Sequence, residues 1–410
     1  MNLLLNKMKL VKRLAVLYFF TTLIGCSLAE QQTTEISDGK KLSSHFPKIE
    51  SSFALYQQQV KRYLSQQSLP QRSDQQISYN LPFEWAAKKG VPYKGRFLLI
   101  HGLNDSPFVW RDFAKIMVNR GFDVRAILLE GHGSHPKNML DVSAKKWIKS
   151  VQAHYDVWQQ ETPISQSPIY IGGFSLGGVL ATNLAINNPE IAGLMLVSPA
   201  YHSKLNNLLS FSWVYKHFQP WLFGTMLNED NPAKYNSISI NAGSAYYSAT
   251  QHLKQHWHKP LNMPVLMVHT VNDSVVDINY SRGVFRKKFK GEKALLLFSS
   301  SNENHAFPLR PSERLHNSYY PNKRILNQSH LSLINSADNP LLGEHSKVLI
   351  CNGNEYEIFK ACMRAEKHWY GAQHTQSPNS DAVARTTYNP DFATVVEAFD
   401  RVFATSNTQK

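Results

Sequence analysis

A serine flanked by glycines stands where an apolar run meets a helical pattern. Residues 169–178 read IYIGGFSLGG, with Ser175 between Gly173 and Gly177. Small residues two positions before and after a serine permit a sharp strand-to-helix turn, because larger side chains there would collide with the adjacent backbone. Such a turn exposes the hydroxyl at the carboxyl edge of a sheet, beside the positive end of the helix dipole. Ser175 is therefore our candidate nucleophile for acyl transfer.

The residues that would activate this serine must lie further along the chain. A serine hydroxyl is a poor nucleophile at neutral pH and needs a histidine base, which a buried carboxylate holds in the right tautomer. In folds with this turn the order along the chain is serine, acid, histidine. Asp273 lies four residues after a predicted strand over 265–269 and is our candidate acid, with Asp277 as the alternative. For the histidine, spacing alone favours His305 over His330, which follows a polar, proline-containing insertion.

A second apolar run, FLLIHGLN over residues 97–104, ends in a His-Gly pair. In folds with a nucleophile turn of this kind, the loop after such a strand supplies one backbone amide to the oxyanion, and the residue after the nucleophile supplies the other. The candidates here are the amides of Leu103 and Leu176. We interpret His101 as a structural loop residue rather than a base.

The elements that must position these groups alternate along the chain after residue 90. Short apolar runs predict strands over 96–101, 123–129, 168–172, 193–198, 265–269 and 294–298. Helical patterns lie over 107–120, 144–160, 176–188, 280–290 and 392–404. This alternation is typical of βαβ units. We therefore expect an α/β fold, in which a mostly parallel twisted sheet is flanked by helices.

The segment 201–260 interrupts this rhythm and is expected to form an inserted cap. It is dense in aromatic residues, which predicts an apolar acyl pocket or a membrane-facing lid. For any single one of them, packing of the cap onto the body is the favoured alternative. The aromatic residues are Phe211, Trp213, Tyr215, Phe218, Trp221 and Phe223.

The amino-terminal residues read as an export signal. A basic leader precedes an apolar stretch over 14–24 that is too short to span a bilayer. The sequence LIGC over 23–26 resembles a lipobox, in which the signal is cut before Cys26 and that cysteine is lipidated. We expect a signal peptide over 1–25, a tether and approach helix over 26–76, and the catalytic domain over 77–410. An ordinary signal peptide with a chance cysteine is the alternative.

Two cysteines remain after Cys26, and they stand eleven positions apart. In an exported protein, Cys351 and Cys362 are expected to form a small disulfide loop. Free or metal-bound thiols are the alternative. The closely spaced His252, His256 and His258 have no nearby carboxylate, so a solvated cap helix is favoured over a metal site.

The chain carries a formal net charge of +14. This surplus favours anionic surfaces such as phospholipid or lipopolysaccharide head groups, although a merely soluble basic surface is the alternative. We expect no nucleic-acid partner, because the basic residues are scattered and no recognised nucleic-acid-binding motif is present.

Several motifs resemble the serine aminopeptidase and monoacylglycerol-lipase-like branch of the α/β-hydrolases. They are HGLNDSP over 101–107, EGHGSHP over 130–136, Trp147, and the glycine-flanked serine segment. The resemblance weakens across the cap and returns over 265–277. Further on, SHLSL over 329–333 is similar to a segment of exported bacterial members whose histidine is catalytic. The resemblance therefore implies His330, rather than His305, as the base.

The resemblance implies a serine hydrolase that cleaves carboxylic esters through an acyl-enzyme. Small-molecule or lipid esters, such as lysophospholipids or monoacylglycerols, are the expected substrates, with no cofactor or metal. The lipobox implies a bacterial envelope protein anchored in the membrane by lipid, with an outer-membrane position facing the periplasm. Protein partners are left open. A catalytically silent lipoprotein of the same fold and a serine aminopeptidase are the alternatives.

Overall fold

An eight-stranded sheet carries the candidate residues. The computed structural model describes residues 45–67, 72–161, 167–300, 308–351 and 356–404, within a compact unit that spans Ser43–Lys410. The sheet strands are β1 (Phe83–Trp85), β2 (Gly95–Ile100), β3 (Phe122–Ile127), β4 (Ile169–Phe174), β5 (Gly193–Val197), β6 (Val265–Thr270), β7 (Lys293–Ser299) and β8 (Glu313–Asn317). Their order is β1-β3-β2-β4-β5-β6-β7-β8, with β1 antiparallel and every other neighbouring pair parallel. The carboxyl ends of seven strands therefore share one edge.

Helices cover both faces of the sheet. They are α1 (Phe53–Gln67), α2 (Asp74–Ser78), α3 (Arg111–Asn119), α4 (Ala144–Gln160), α5 (Leu176–Asn187), α6 (Asn206–Leu209), α7 (Ser212–Tyr215), α8 (Ile240–His256), α9 (Ile278–Lys288), α10 (Tyr356–Arg364) and α11 (Phe392–Phe399). A π-helix over Asp400–Ala404 extends α11. Two buried apolar clusters, one on each face, hold the layers together. None of the helices in the described ranges is both long and apolar enough to cross a bilayer.

The predicted α/β fold and its six parallel strands are confirmed, with ends shifted by no more than two residues. Every residue of β2, β5 and β6 is buried, which explains their unbroken apolar character. Two strands of the sheet, β1 and β8, were not predicted from the sequence. β1 has three residues, and the edge strand β8 is polar, with only Glu313 fully enclosed among its side chains.

The predicted approach helix is present as α1 and packs into the apolar core. Its buried residues include Phe53 and Tyr56, and the Tyr56 hydroxyl donates to the Leu128 carbonyl at 2.9 Å. The buried guanidinium of Arg125 lies 4.4 Å from the Phe53 ring centre and 4.5 Å from that of Trp158. Burial of these rings fixes α1 to β3 and α4. The predicted signal peptide and Cys26 lie outside the described residues.

The cap exposes most of its aromatic residues. Trp221 packs inward with 7% exposure, whereas Phe218 is 81% exposed. The preference for packing onto the body is therefore wrong for most of these side chains. Nine exposed large apolar side chains lie on this stretch, which we call the cap face: Leu205, Leu208, Phe211, Trp213, Val214, Tyr215, Phe218, Leu222 and Phe223.

A long excursion, residues 318–391, separates β8 from α11. It contains α10 and a two-stranded parallel pair, β9 (Trp369–Gly371) and β10 (Val383–Arg385). Cys351 and Cys362 form a disulfide within it. His368 lies close to both sulfurs, and its Nε2 is 2.6 Å from the Cys362 carbonyl oxygen. Because the disulfide uses both sulfurs, these three residues do not form a metal site in this state.

Candidate active site

The turn between β4 and α5 forces Ser175 into an unusual backbone conformation. Its φ is 54° and its ψ is −115°, a region that L-residues rarely adopt. A Cβ on Gly173 would lie 2.4 Å from the Gly177 carbonyl oxygen, and a Cβ on Gly177 would lie 2.1 Å from the Ile100 carbonyl oxygen. The glycine pattern is therefore a steric requirement of this turn, as the sequence indicates.

Ser175, His330 and Asp273 lie in one hydrogen-bonded series. His330 Nε2 is 2.9 Å from Ser175 Oγ, and His330 Nδ1 is 2.7 Å from Asp273 Oδ2. Since the carboxylate accepts from Nδ1–H, Nε2 is left to accept from the serine hydroxyl. The three side chains come from the loops after β4, β6 and β8, which meet at the carboxyl edge of the sheet.

The alternative acid occupies a different position. Asp277 is the N-cap of α9, and its Oδ1 accepts from the amides of Asn279 and Tyr280 at 2.9 and 3.1 Å. Through these hydrogen bonds the Asp277 side chain caps the amino end of α9. The alternative base, His305, lies outside the described residues.

The environment of Asp273 favours its ionised form. The side chain is fully buried, which by itself would raise the pKa of the carboxyl. His330 and the backbone amides of Val275 and Val276, at 2.8 and 2.9 Å from Oδ1, outweigh this effect and hold the pKa of Asp273 below its usual range. Asp273 is therefore able to offset a positive charge on the His330 imidazole.

A second histidine lies beside the same carboxylate and was not singled out from the sequence. His269 Nδ1 is 3.6 Å from Asp273 Oδ2 and 3.2 Å from the Thr270 carbonyl oxygen. Burial lowers the pKa of His269 to about 4, so the ring is neutral near pH 7. The only sequence signal was its position near the end of β6, four residues before Asp273.

The two candidate oxyanion amides lie at the ends of adjacent strands. Leu176 begins α5, where helix N–H groups have no intrahelical acceptor. Within the described ranges, neither the Leu103 amide nor the Leu176 amide donates to a protein acceptor. The Leu103 loop is held by the Tyr235 amide, which donates to the Asn104 carbonyl at 2.8 Å. Both N–H groups are thus available to a substrate oxygen.

His101 supports this loop structurally. Its Nε2 accepts from the Leu129 amide at 3.1 Å, and its Nδ1 lies 2.8 Å from the Gly102 carbonyl oxygen. Burial, together with the nearby His132, holds the pKa of His101 well below its usual range. The ring is therefore neutral, and both of its nitrogens are occupied by the backbone.

Contacts from β6 and from the backbone after β10 hold the loop around His330 in place. Thr270 Oγ1 donates to the Gln328 carbonyl at 3.0 Å, which ties the loop to β6. Thr386, which follows β10, donates from its Oγ1 to the Asn327 carbonyl at 2.7 Å. Sequence reasoning missed these contacts, because the partners are distant along the chain.

An apolar recess begins beside the candidate nucleophile and base. Phe174 and Leu331, the neighbours of Ser175 and His330, contribute to its wall. Its polar part contains Asp105, whose Oδ1 is 3.2 Å from Lys234 Nζ. The other lining residues are Ser106, Phe108, Val109, Asn231, Ala233, Asn335, Leu342, Ile350 and Thr387.

The cap histidines pack along α8 and beside α5. The rings of His252 and His256 stack with centres 4.1 Å apart. His252 Nδ1 lies 2.9 Å from Asn183 Nδ2, and His258 is exposed beyond the end of the helix. This arrangement is that of a partly solvated helix surface.

Residues 92–229 match the family described as serine aminopeptidase, S33. This stretch contains the candidate oxyanion loop, the strained serine and the first part of the cap. The family match and the order of the strands in the sheet indicate the same fold. The chain has an α/β-hydrolase fold.

This chain is similar to two curated bacterial relatives. It is 31% identical over 103 residues to a thermostable monoacylglycerol lipase of Bacillus sp. strain H-257, covering 25% of this chain and 40% of the relative. It is 28% identical over 127 residues to a carboxylesterase of Bacillus subtilis strain 168, covering 30% and 50%. The chain thus spans half or less of the length of these relatives.

Among solved structures, the chain is similar to a monoacylglycerol lipase of Paleococcus ferrophilus. The sequence identity is 20%, the TM-score is 0.43, and the match covers 53% of this chain and 88% of the other. A soluble variant of the monoglyceride lipase of Saccharomyces cerevisiae gives 17% identity, a TM-score of 0.45, and coverages of 53% and 81%.

Proposed function

We propose that this protein is a serine hydrolase that cleaves carboxylic esters of lipid type. The observation that carries the proposal is the hydrogen-bonded series from Ser175 Oγ through His330 to Asp273, mounted on a strained strand-to-helix turn. In the proposed reaction, His330 Nε2 takes the hydroxyl proton while Ser175 Oγ attacks the ester carbonyl. Asp273 orients the imidazole and offsets its charge.

The tetrahedral intermediate needs donors for its negative oxygen. The amides of Leu103 and Leu176 are proposed for this role, because helix and loop N–H groups aimed at a developing charge need no reorganisation. As the intermediate collapses, the imidazolium returns its proton to the leaving alcohol and the acyl group stays on Ser175. A water molecule then repeats the sequence and releases the carboxylic acid.

Three features support a substrate with an acyl chain. The recess beside Phe174 and Leu331 has a largely apolar lining, and its volume of about 20 Å³ must widen for an acyl chain to enter. The cap face is also apolar, and the sequence between residues 191 and 228 contains no Asp or Glu. The relatives named as a monoacylglycerol lipase and a carboxylesterase are consistent with ester cleavage. We propose monoacylglycerols or lysophospholipids as the substrate class.

An aminopeptidase role has less support in the recess. Recognition of a free amine would require a carboxylate that is not already neutralised. Asp105 is the carboxylate in the lining, and Lys234 pairs with it at 3.2 Å. We therefore favour esters over peptides.

We further propose that Cys26 is lipidated and that the enzyme works at the bacterial envelope, at the periplasmic face of the outer membrane. Two or three acyl chains would give lasting attachment, because each buried methylene contributes about 0.8 kcal/mol. Metabolic labelling with a palmitate analogue tests this proposal. Label should be incorporated by the parent chain and lost in Cys26→Ser, and equal incorporation by both would contradict it.

Hydrolysis of nitrophenyl esters tests the catalytic proposal. Ser175→Ala should abolish turnover, whereas Ser65→Ala, a matched change at an exposed position on α1, should leave it unchanged. Residual activity in Ser175→Ala equal to that of the parent would exclude Ser175 as the nucleophile. Lack of turnover and of fluorophosphonate labelling in the folded parent would instead support the alternative of a silent, lipid-binding lipoprotein.

A further inference from the structure

The excursion buries an arginine that forms no direct ion pair among the described residues. Arg385, in β10, is 8% exposed. One terminal nitrogen donates to Ser274 Oγ at 3.0 Å and the other to Gln373 Oε1 at 2.9 Å, while Nε has no partner among the described residues. Arg125, which is 1% exposed, pairs by comparison with Glu84 and Glu161. The nearby Asp273 acts on the guanidinium through its charge but accepts no hydrogen bond from it. The two terminal nitrogens therefore keep N–H donors for an added anion.

This arginine lines a cavity of about 230 Å³ that is separate from the recess beside Ser175. None of the described residues that line the cavity carries a carboxylate. His374 and Thr375 add polar groups, while Ile358 and Val383 contribute an apolar wall. A positively charged floor beside an apolar wall matches a small molecule that has an oxyanion at one end.

The cavity is connected by hydrogen bonds to the loop that carries His330. The Ala372 amide, in the cavity wall, donates to Asn327 Oδ1 at 2.7 Å. Thr386 follows Arg385 directly and donates to the Asn327 carbonyl. Occupancy of the cavity would therefore fix the same backbone that positions the candidate base.

We propose that this cavity, which we call the Arg385 pocket, is an oxyanion site that binds a carboxylate or phosphate through the Arg385 guanidinium. The ligand is either a free anion or the head of a small amphiphile whose apolar part contacts Ile358 and Val383. The pocket is distinct from the ester-binding recess, and its existence does not depend on the proposed hydrolase activity.

Calorimetric titration of the full chain tests this proposal, with inorganic phosphate, acetate and octanoate as separate probes. Arg385→Gln removes the charge, and Val383→Phe fills the pocket while keeping the arginine. Arg364→Gln is the matched control, because it makes the same change at an exposed position on α10. If Arg385→Gln does not fold, the affinity of Val383→Phe for the probes tests the proposal.

At least one probe should bind the parent and Arg364→Gln equally. Affinity should fall about tenfold or more in whichever of the two pocket variants folds, since a charge-assisted hydrogen bond is lost or blocked. Octanoate binding more tightly than acetate would identify an amphiphile, whereas similar binding of acetate or phosphate would identify a free anion. Absence of binding to the parent by all three probes, or unchanged affinity in both pocket variants, would overturn the proposal.

Discussion

Ser329 Oγ donates a 2.6 Å hydrogen bond to the carbonyl of Thr386, a residue 57 positions further along the chain. The same oxygen accepts from the Leu331 amide at 3.1 Å. One hydroxyl therefore joins both neighbours of His330 to the backbone that follows β10. The orientation of the candidate base depends on this contact as well as on Asp273.

Ser329→Ala tests this dependence. We expect kcat to fall about tenfold with little change in KM, because the loop would hold His330 less accurately while the ester recess stays intact. Ser377→Ala is the control, because it removes a similar hydroxyl-to-carbonyl bond elsewhere in the excursion and should leave kcat unchanged. An increase confined to KM would show that Ser329 acts on substrate binding instead.

The two candidate acids give opposite predictions. Asp273→Asn should lower kcat about a thousandfold or more, because the amide would disturb the His330 tautomer and leave the imidazolium without a counter-charge. Asp277→Asn should retain kcat, since it changes only a helix cap, and asparagine is itself a good N-cap. Steady-state kinetics of both purified variants provides the comparison. Equal losses in the two would mean that Asp273 has no special role.

Sequence alone predicted the parts of the candidate site that have strong local signals. Gly173 and Gly177 predict the turn, because a side chain at either position would collide with the backbone. Asp273 could be chosen because it follows an unbroken apolar strand that is buried on both faces. The catalytic roles themselves stay predictions.

Other features depend on partners that are distant in sequence. Spacing favoured His305, and only the family resemblance pointed to His330, because the strand β8 and the start of the excursion intervene. The bonds around Ser329 and the burial of Arg385 arise from the folding of the excursion back onto the sheet. For any single cap aromatic, packing onto the body was favoured over an acyl pocket or a membrane-facing lid, but composition cannot reveal which face of a short helix is covered.

A buried histidine beneath α1 predicts a pH-dependent stability. His154 is fully enclosed, and neither of its ring nitrogens has a partner among the described residues. Burial lowers the pKa of His154 to about 3, below the value of 6.5 that it has when exposed. Because only the unfolded state binds a proton in this interval, the free energy of unfolding should fall as pH drops from 6.5 towards 3. His154→Phe should remove this contribution.

Urea unfolding at pH 7 and pH 5 measures the effect. The parent should lose about 2 kcal/mol more than His154→Phe on acidification, from one proton taken up over about 1.5 pH units. His345→Gln, at an exposed position, should behave as the parent does. An identical pH response in parent and His154→Phe would show that His154 is not the group responsible.

The cap face predicts binding to lipid surfaces. In a Cys26→Ser chain, which removes any acyl anchor, sedimentation with anionic vesicles should fall about tenfold for Phe218→Ser, because one exposed aromatic contact is lost. Leu55→Ser, which removes an exposed apolar side chain of α1, is the control and should bind as the parent does. Equal binding of all three proteins would assign vesicle association to another surface.

Ser175 is proposed to be an activated nucleophile. Reaction with a fluorophosphonate, followed by intact-mass and peptide mass spectrometry, tests it directly because the phosphonyl group forms a covalent bond to the attacking oxygen. We expect one adduct on Ser175 in the parent, none in Ser175→Ala, and much slower labelling in His330→Ala. A folded parent that hydrolyses esters yet carries no adduct on Ser175 would contradict it.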